Sequence, residues 1–372
     1  MKIVASVHSM APVGGTELNV FQVTRGLAGR GHSIDLIAAR GGALAAEYAT
    51  FCRSVTRLPV LDFARSTAAR DLVRMVPAIA LAAAKRPDVV YPNRFSEIIW
   101  ATSAGRLSGA PVVCHLHEIR HRRPGRFPNA HVRRFIAVSE SLRREWVAVG
   151  LDPDRIDVVH NGVSLESYPF GGAEERATAR ALLEVPADGF VALYYGRLDR
   201  EKGVDVLLDA WNRLGIESGE GRLLLVGSPS MHLADGEGEL ARMREEEPPG
   251  CMWIPARGDV VTPLHAADVV VVPSVWAEPF GRVVIEAMAT GRPALSSRVG
   301  GIPEILTGKF ERFLVEPGDP EALAEGLRQL VGWQEREPDL ARACQSFVRD
   351  EFSLARTVEG IERVLMTTAG GQ

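Results

Sequence analysis

Several features that would mark other classes of protein are scarce or missing in this 372-residue sequence. It has only four cysteines, and they lie far apart with no Cys-x-x-Cys pair: Cys52, Cys114, Cys251 and Cys344. This spacing predicts neither a zinc site nor a disulfide framework. Scattered, unpaired cysteines are typical of proteins that stay in a reducing compartment, so we expect a cytoplasmic location.

Long hydrophobic runs are missing as well. The longest apolar stretch, from Met75 to Ala84, covers about ten residues and contains Pro77, whereas a membrane-spanning helix needs about 20 apolar residues. The run from Met1 to Val7 is too short for the hydrophobic region of a signal peptide and predicts a first strand instead. We therefore expect at most a peripheral contact with a membrane.

The loop after that first strand lacks the Gly-x-Gly-x-x-Gly fingerprint of dinucleotide-binding proteins. It contains Gly14 and Gly15, which would let a ligand approach the backbone closely, followed by Thr16, which is placed to cap the next helix. Two interpretations stay open from these residues alone. The loop is either an ordinary strand-to-helix turn or a loop whose amides face a ligand.

Positive and negative charge are unevenly distributed, although the net charge is only −4. Residues 1–160 contain 22 Lys and Arg against 13 Asp and Glu, and the remainder contains 21 against 34. The basic half is either a solvated surface or a surface for an anionic ligand or an anionic membrane. No recognition helix or stacking platform accompanies the charge, so we do not expect a nucleic-acid partner.

Length and hydrophobic patterning predict two domains of the α/β class. Short β-rich apolar runs alternate with amphipathic helical stretches throughout, which is typical of parallel sheets built from βαβ units. The pattern breaks in the segment from Ser164 to Glu175, which contains Pro and Gly, and we interpret this segment as a linker. We predict one domain over residues 1–167 and a second over residues 168–352.

The most informative stretch reads Glu-Pro-Phe-Gly-Arg-Val-Val-Ile-Glu, from Glu278 to Glu286. It follows a predicted buried strand, Val269 to Val272, and places Phe280 and Gly281 at the start of a helix. Amides at a helix start lack internal partners and attract anions. A carboxylate on each side of such a start suits a ligand with hydroxyls at both ends and phosphate in the middle, such as a nucleotide sugar.

Together with two flanking motifs, this stretch resembles the retaining glycosyltransferases of family 4. The flanking motifs are Gly-Arg-Leu-Asp-Arg-Glu-Lys-Gly at 196–203 and Val-Gly-Gly-Ile-Pro-Glu-Ile at 299–305. The resemblance is strongest from about residue 190 to 320. It implies the GT-B fold, in which two Rossmann-like domains with parallel sheets face each other across a cleft. It also implies that a last helix, about 353–372, packs back on the first domain.

The resemblance implies a donor site on the second domain. Glu286 would accept hydrogen bonds from the ribose, Glu278 would bind sugar hydroxyls, and the amides of Phe280 and Gly281 would meet the sugar or the β-phosphate. The loop at Gly14 and Gly15 would lie near the donor phosphate.

Arg197 and Lys202 are the predicted cations of the site. Both follow a buried-type strand, and two fixed cations there can stabilise the charge that develops on a diphosphate leaving group. From the residues alone, the same segment also fits a salt-bridged surface turn formed with Asp199 and Glu201. The family resemblance favours the catalytic interpretation.

The first domain contributes a histidine motif after a predicted strand, where open α/β sheets bind ligands. His117-Glu118 matches the family's His-Asp with Glu for Asp, which implies a role for His117 beside the sugar. We prefer His117 to His115, and the role of Glu118 stays open. Arg122 and Arg123 belong to a basic loop. This loop is either an ordinary solvated loop or a surface that binds a phosphate or carboxylate of the acceptor or contacts a membrane.

The resemblance implies transfer of a sugar from a nucleotide diphosphate sugar to an acceptor hydroxyl by front-face displacement. Uridine diphosphate is the default donor nucleotide by family frequency. We expect no cofactor and no required metal. The acceptor stays open among small molecules, glycans and lipid-linked sugars, and so does the oligomeric state. The alternatives are a GT-B nucleotide-sugar 2-epimerase and a non-catalytic nucleotide-sugar binding module.

Overall fold

The structure, a computed structural model, describes residues 1–12, 14–59, 61–63, 67–119, 131–216, 220–229 and 235–371. The chain divides into two compact units. The first comprises Met1–Asn161 and Leu354–Gln372, and the second comprises Gly162–Ser353. The division falls six residues before the boundary at 167 predicted from the sequence. The interpreted linker overlaps a helix, Ala173–Leu182, because its Gly-Gly pair precedes a helix start.

The strands of the first unit are all parallel to their neighbours. In its described residues these are β1 (Lys2–Ser9), β2 (Ser33–Arg40), β3 (Ser54–Arg57), β4 (Val89–Tyr91), β5 (Val113–Leu116), β6 (Arg134–Ala137) and β7 (Ile156–Val158). They form two sheets, in the orders β3-β2-β1-β4 and β5-β6-β7. A parallel bridge between Val90 and Val112 joins the two, so strand direction is continuous across the unit.

Helices connect these strands as a parallel arrangement requires. They are α1 (Gly15–Gly29), α2 (Ala45–Phe51), α3 (Ala68–Ala84), α4 (Ile98–Ser108) and α5 (Glu140–Ala148). The hydroxyl of Ser139 accepts a hydrogen bond from Leu142 N at 2.9 Å and so caps α5. Thr16 does not cap α1 as predicted, because the helix begins at Gly15, two residues earlier than such a cap implies, and Gly14 occupies the cap position.

The second unit has one parallel sheet. Its strands are β8 (Phe190–Leu198), β9 (Gly221–Pro229), β10 (Cys251–Pro255), β11 (Val269–Val272), β12 (Ala294–Ser297) and β13 (Leu314–Val315). They lie in the order β10-β9-β8-β11-β12-β13. The central strand β11 is Val-Val-Val-Val and almost fully buried, since helices cover both faces of such a sheet.

The helices of the second unit are α6 (Ala173–Leu182), α7 (Val204–Leu214), α8 (Gly236–Glu245), α9 (Val261–Ala266), α10 (Arg282–Ala289), α11 (Ile302–Ile305), α12 (Pro320–Leu330), α13 (Trp333–Arg336) and α14 (Leu340–Glu351). The last helix, α15 (Leu354–Gly370), belongs to the first unit. Val358, Ile361 and Leu365 of α15 are buried in the same apolar core as β1 and β2. A Cβ on Gly26 of α1 would lie 2.5 Å from Val358, so glycine permits this close packing.

Among the elements missed from the sequence are the short helix α2, strand β3 and helix α12. β3 lies at the sheet edge and is only partly buried, so its sequence, Ser-Val-Thr-Arg, has no continuous apolar run. Other strands are longer than predicted because pairing continues into polar residues. Ser9 pairs with Arg40, and Arg197 pairs with Ser228.

Candidate functional site

The predicted donor residues follow the carboxyl ends of β8 and β11, which are neighbours in the second unit's sheet. Ligands of open α/β sheets bind at this edge. The turn after β8 packs tightly on the segment after β11, since a Cβ on Gly203 would lie 1.9 Å from the carbonyl oxygen of Pro273. Gly203 also has a φ of +71°, which side chains other than glycine's rarely adopt.

This packing brings Lys202 and Glu278 together. Lys202 Nζ lies 2.6 Å from Glu278 Oε1, although the two residues are 76 positions apart in sequence. Ser274, which follows β11, donates its hydroxyl to the same carboxylate oxygen at 2.5 Å. The side chains of Lys202 and Glu278 are 22% and 12% exposed, so this pair is partly shielded from water but reachable by a ligand.

The main chain of Glu278 is held by the downstream Gly-Gly motif. Gly301 N donates to Glu278 O at 2.8 Å. Gly300 has a φ of +55°, and a Cβ there would lie 2.0 Å from Glu278 O. The motif at 299–305 therefore positions the carboxylate of Glu278, and side chains would disrupt this contact.

Arg197 lies at the end of β8, beside two acidic residues of the turn that follows. Its guanidinium lies 3.2 Å from Asp199 Oδ2 and 3.2 Å from Glu201 Oε2. Asp199 is fully buried and accepts from Lys202 N at 2.9 Å, which shapes the turn. These are the contacts of the salt-bridged turn considered above, and the catalytic role of Arg197 stays a prediction.

Glu286 lies inside α10, as predicted, and is buried in a network of its own. Arg282 Nε donates to Glu286 Oε1 at 3.0 Å, and the Tyr195 hydroxyl donates to Oε2. Burial disfavours the charged form of Arg282, but the adjacent carboxylate outweighs this and raises the pKa of Arg282. Burial and the same carboxylate raise the pKa of Tyr195 well above its usual value. The carboxylate of Glu286 is thus fixed in orientation.

The two residues expected to open the helix lie just before it. Gly281 is the residue preceding α10, with a φ of +103°, and a Cβ there would lie 2.8 Å from the side chain of Ile302. The Phe280 side chain is buried, with its ring 5.9 Å from that of Phe352. The side chain of Phe280 is therefore part of the core, and the ligand contact of its backbone amide stays a prediction.

In the first unit, Gly14 and Gly15 lie between β1 and α1, at the carboxyl end of β1. Gly14 is extended, and a Cβ on it would lie 3.1 Å from the carboxylate of Glu17 in the first turn of α1. The described part of this loop shows no contact with a predicted site residue. Its role near a phosphate stays a prediction.

His115 and His117 lie at the end of β5 with their rings 4.0 Å apart. His115 Nδ1 lies 2.7 Å from the Tyr91 hydroxyl, and burial together with His117 lowers the pKa of His115 well below its usual value. His115 is therefore a neutral core residue, which agrees with the preference for His117. The Glu118 side chain is exposed, while its carbonyl accepts from Trp146 Nε1 at 3.0 Å. Arg122 and Arg123 lie outside the described residues.

Sequence reasoning missed a buried polar cluster at the ends of β1 and β4. Glu97 is fully buried and accepts from the Ser6 hydroxyl, and burial raises its pKa to about 8. Asn93 Nδ2 donates to Ser6 O at 2.9 Å. Glu97 Oε1 and Asn93 Oδ1 have no hydrogen-bond partner among the described residues. The polar residues Asn93 and Glu97 soon after the end of β4 were the signal that could have located this cluster.

A second polar group lies beside this cluster. The Asp62 carboxylate is 3.0 Å from His8 Nδ1 and accepts from the Ser96 hydroxyl at 2.5 Å. Although burial opposes it, these hydrogen bonds and Arg94 lower the pKa of Asp62. The edge of the first sheet therefore carries one carboxyl that favours its proton and one that favours ionisation.

The sequence Asp-Pro-Asp at 152–154 resembles an Asp-x-Asp metal motif, but it forms a 3₁₀ turn in which Asp152 Oδ1 accepts from Asp154 N at 3.0 Å. Within the described ranges, no three His, Cys, Asp or Glu side chains are grouped so that they could hold a metal ion. No helix in the same residues is both long and apolar enough to cross a membrane.

Two family models match the chain, one over each half. Residues 13–167 match the family described as Glycosyltransferase Family 4, and residues 175–346 match Glycosyl transferases group 1. The chain is a family 4-like glycosyltransferase. This confirms the family resemblance inferred from the ordered motifs.

Curated relatives of this glycosyltransferase are similar over part of their length. An uncharacterized glycosyltransferase of Methanocaldococcus jannaschii is 34% identical over 208 residues, which are 54% of this chain and 52% of the relative. D-inositol 3-phosphate glycosyltransferase 1 of Catenulispora acidiphila is 30% identical over 276 residues, covering 66% of this chain and 64% of the relative. The chain thus spans between half and two thirds of the length of these two proteins.

A solved structure matches over the whole length. The crystal structure of Anabaena HepE in complex with UDP and glucose has a TM-score of 0.83 and 22% sequence identity. The match covers 99% of this chain and all of the other. The predicted GT-B fold is therefore confirmed.

Proposed function

We propose that this glycosyltransferase transfers a sugar from a nucleotide diphosphate sugar to an acceptor hydroxyl, with retention of the anomeric configuration. The observation that carries the proposal is the pairing of Lys202 with Glu278 and Ser274 at the ends of β8 and β11. A cation and a carboxylate that share one ligand-facing edge suit a donor with a diphosphate and a hydroxyl-rich sugar.

UDP is the donor nucleotide that we favour. Anabaena HepE, which shares the fold, was crystallised with UDP and glucose. In this chain the buried Glu286 is held by Arg282 and Tyr195, so both of its oxygens have fixed directions before a ligand binds. A preoriented carboxylate suits recognition of the two adjacent ribose hydroxyls, because less ordering is needed when the nucleotide arrives.

The proposed reaction is a front-face displacement. The bond between the anomeric carbon and the diphosphate oxygen breaks, and the acceptor oxygen forms its bond to that carbon on the same face. The acceptor proton passes to the departing diphosphate. Lys202 would exchange part of its contact with Glu278 for the diphosphate, whose charge grows in the transition state, and Glu278 would then hold sugar hydroxyls. We propose that no metal ion is required.

The acceptor is proposed to be a hydroxyl compound that carries negative charge. The excess of Lys and Arg in residues 1–160 supports this choice. The relative from Catenulispora acidiphila is named for D-inositol 3-phosphate, which is such a compound. D-inositol 3-phosphate is therefore the first acceptor to test, followed by neutral inositol and lipid-linked sugars.

The test is a transfer assay with UDP-glucose, UDP-N-acetylglucosamine and UDP-galactose against these acceptors in the presence of EDTA. Proton NMR of the product reports the anomeric configuration through its coupling constant. The proposal predicts a product with the donor's α configuration and release of UDP. An inverted product would contradict the mechanism, and conversion of the UDP-sugar to an epimer without transfer would favour the 2-epimerase alternative.

A further inference from the structure

Besides the ligand-binding edge described above, the first unit has a cavity at the opposite, amino-terminal ends of its strands. The cavity has a volume of about 710 Å³. Its wall includes residues just before β5 and β6 and the C-terminal end of α4. β5 has four residues, and at about 3.3 Å per residue this end lies roughly 13 Å from the carboxyl end that carries His117. The cavity is therefore separate from the candidate site.

Five of the fourteen residues that line this cavity are basic. Arg106, Arg133, Arg134 and Arg155 line it together with His131, and no acidic residue is among the described residues that form its wall. A cavity of this size and charge would hold a compact, multiply charged anion.

The cationic groups are held in place by their surroundings. Arg134 is fixed by Asp157, with Nε–Oδ2 and Nη2–Oδ1 distances of 2.8 and 2.6 Å. Arg155 lies over the ring of Phe135, with its guanidinium carbon 5.7 Å from the ring centre. Arg106 contacts His131. Arg134 and Arg155 are thus oriented in advance, and the Asp157 carboxylate offsets the guanidinium charge of Arg134.

Positive charges crowd one another around Arg155. Burial lowers the pKa of Arg155, and Arg133 and Arg134 lower it further, while Asp152 acts in the opposite direction. Repulsion of this kind is relieved when an anion binds among the cations. The C-terminal ends of α4 and α15 also border the cavity and carry partial negative charge, but a helix end amounts to only about half a charge.

We propose that this cavity is an anion site that binds a phosphate group. Guanidinium groups match phosphate oxygens in pairs, which favours phosphate over a spherical anion such as chloride. The phosphate belongs either to a free phosphorylated metabolite or to a lipid headgroup. Both sources present the same chemistry to the arginines.

The test is calorimetric titration of pyrophosphate into the full chain at fixed ionic strength. Saturating UDP is present throughout, so that the proposed donor site on the second unit is occupied. Four proteins are compared: the wild type, Arg133→Gln, the double variant Arg106→Gln/Arg133→Gln, and the control Arg74→Gln, which removes an exposed arginine of α3 outside the cavity. Because Arg133 is exposed, its replacement should leave the fold intact. Melting temperatures check that all four proteins are folded.

We expect the wild type and the control to bind pyrophosphate equally and the double variant to bind about tenfold or more weakly, as expected for lost charge-assisted contacts. A lipid source is tested by cosedimentation with phosphatidylcholine vesicles, with and without phosphatidylglycerol. Loss of vesicle binding in the double variant, with little binding of pyrophosphate, would assign the site to a headgroup. Unchanged binding of both probes in the double variant, or an equal loss in the control, would overturn the proposal.

Discussion

The two units differ in how the carboxyl groups near the carboxyl ends of their strands are paired with cations. In the second unit, Lys202 faces Glu278 and Arg282 faces Glu286, so each carboxylate has a cation within 3.0 Å. In the first unit, Glu97 is fully buried, is bound by a serine hydroxyl and has one oxygen without a described partner. Under the proposed function, a charged ligand replaces a partner within such a pair of the second unit. The first holds a carboxyl whose raised pKa favours the neutral form.

The largest expected effect comes from breaking the buried pair of the second unit. Glu286→Ala leaves the guanidinium of Arg282 buried without its carboxylate, which should lower the free energy of unfolding by about 3–5 kcal/mol. Denaturant unfolding measures this change. Glu245→Ala, an exposed position near the end of α8, is the matched control and should change stability by less than about 0.5 kcal/mol. A similarly small loss of stability in both variants would show that Glu286 does not compensate the buried charge of Arg282.

The next effect tests the partly shielded pair of Lys202 and Glu278. Lys202→Ala should lower turnover about 10²–10³-fold, because the cation acts on charge that develops in the transition state. UDP release reports turnover, and UDP affinity should change much less. Arg200→Ala, which removes an exposed arginine of the same turn, is the control and should retain activity.

The conservative variant Glu286→Gln should show the reverse pattern, with weaker UDP binding as its main effect. Equal losses of UDP affinity in Lys202→Ala and Glu286→Gln would contradict the division of roles between the two carboxylate–cation pairs.

The first unit yields a prediction about pH. Glu97 has a folded pKa of about 8 against an ordinary value of 4.5, so between these values the folded state retains a proton that the unfolded state releases. Stability should therefore fall as pH rises from about 4.5 to about 8, by a few kcal/mol at about 1.4 kcal/mol per pKa unit. Glu97→Gln mimics the protonated form and should flatten this slope.

Denaturant unfolding across that pH range measures the slope, and the difference between wild type and variant isolates Glu97 from other titrating groups. Glu47→Gln, at an exposed position in α2, should leave the slope as in the wild type. A wild-type slope that persists in Glu97→Gln would mean that Glu97 is ionised in the folded protein.

The smallest effect concerns the second partner of Glu286. Tyr195→Phe removes one hydrogen bond to the carboxylate and should cost about 1 kcal/mol of stability. A double-mutant cycle with Glu286→Gln measures the coupling, which should be at least about 0.5 kcal/mol for groups in contact. Additive effects would show that Tyr195 does not orient Glu286.

The sequence was most informative where function depends on local order along the chain. The positions of Glu278 in a loop and Glu286 inside a helix followed from one nine-residue stretch, and the structure has both. The flanking motifs also contain glycines that the local backbone requires. Gly203 and Gly300 adopt backbone angles, and make close contacts, that only glycine accommodates.

Pairings between distant segments could not be predicted in this way. Lys202 and Glu278 are 76 positions apart, and Tyr195 and Glu286 are 91 apart, so their contacts depend on how β8 packs beside β11 and α10. Glu97 was not singled out from the sequence, because burial of a single carboxyl leaves no periodic signal. Strand β3 was missed since an edge strand needs no continuous apolar run.

The central claim, that the second unit binds a uridine diphosphate sugar without a metal, is tested most directly by ligand-observed NMR. The full chain is mixed in EDTA with UDP-, GDP-, ADP- and TDP-sugars, and saturation transfer to each nucleotide and sugar is measured. The account predicts selective saturation of the UDP-sugar, with signals on both the ribose and the sugar, and a weaker signal in Glu286→Gln. No saturation of any of the four, or saturation that Glu286→Gln leaves unchanged, would contradict it.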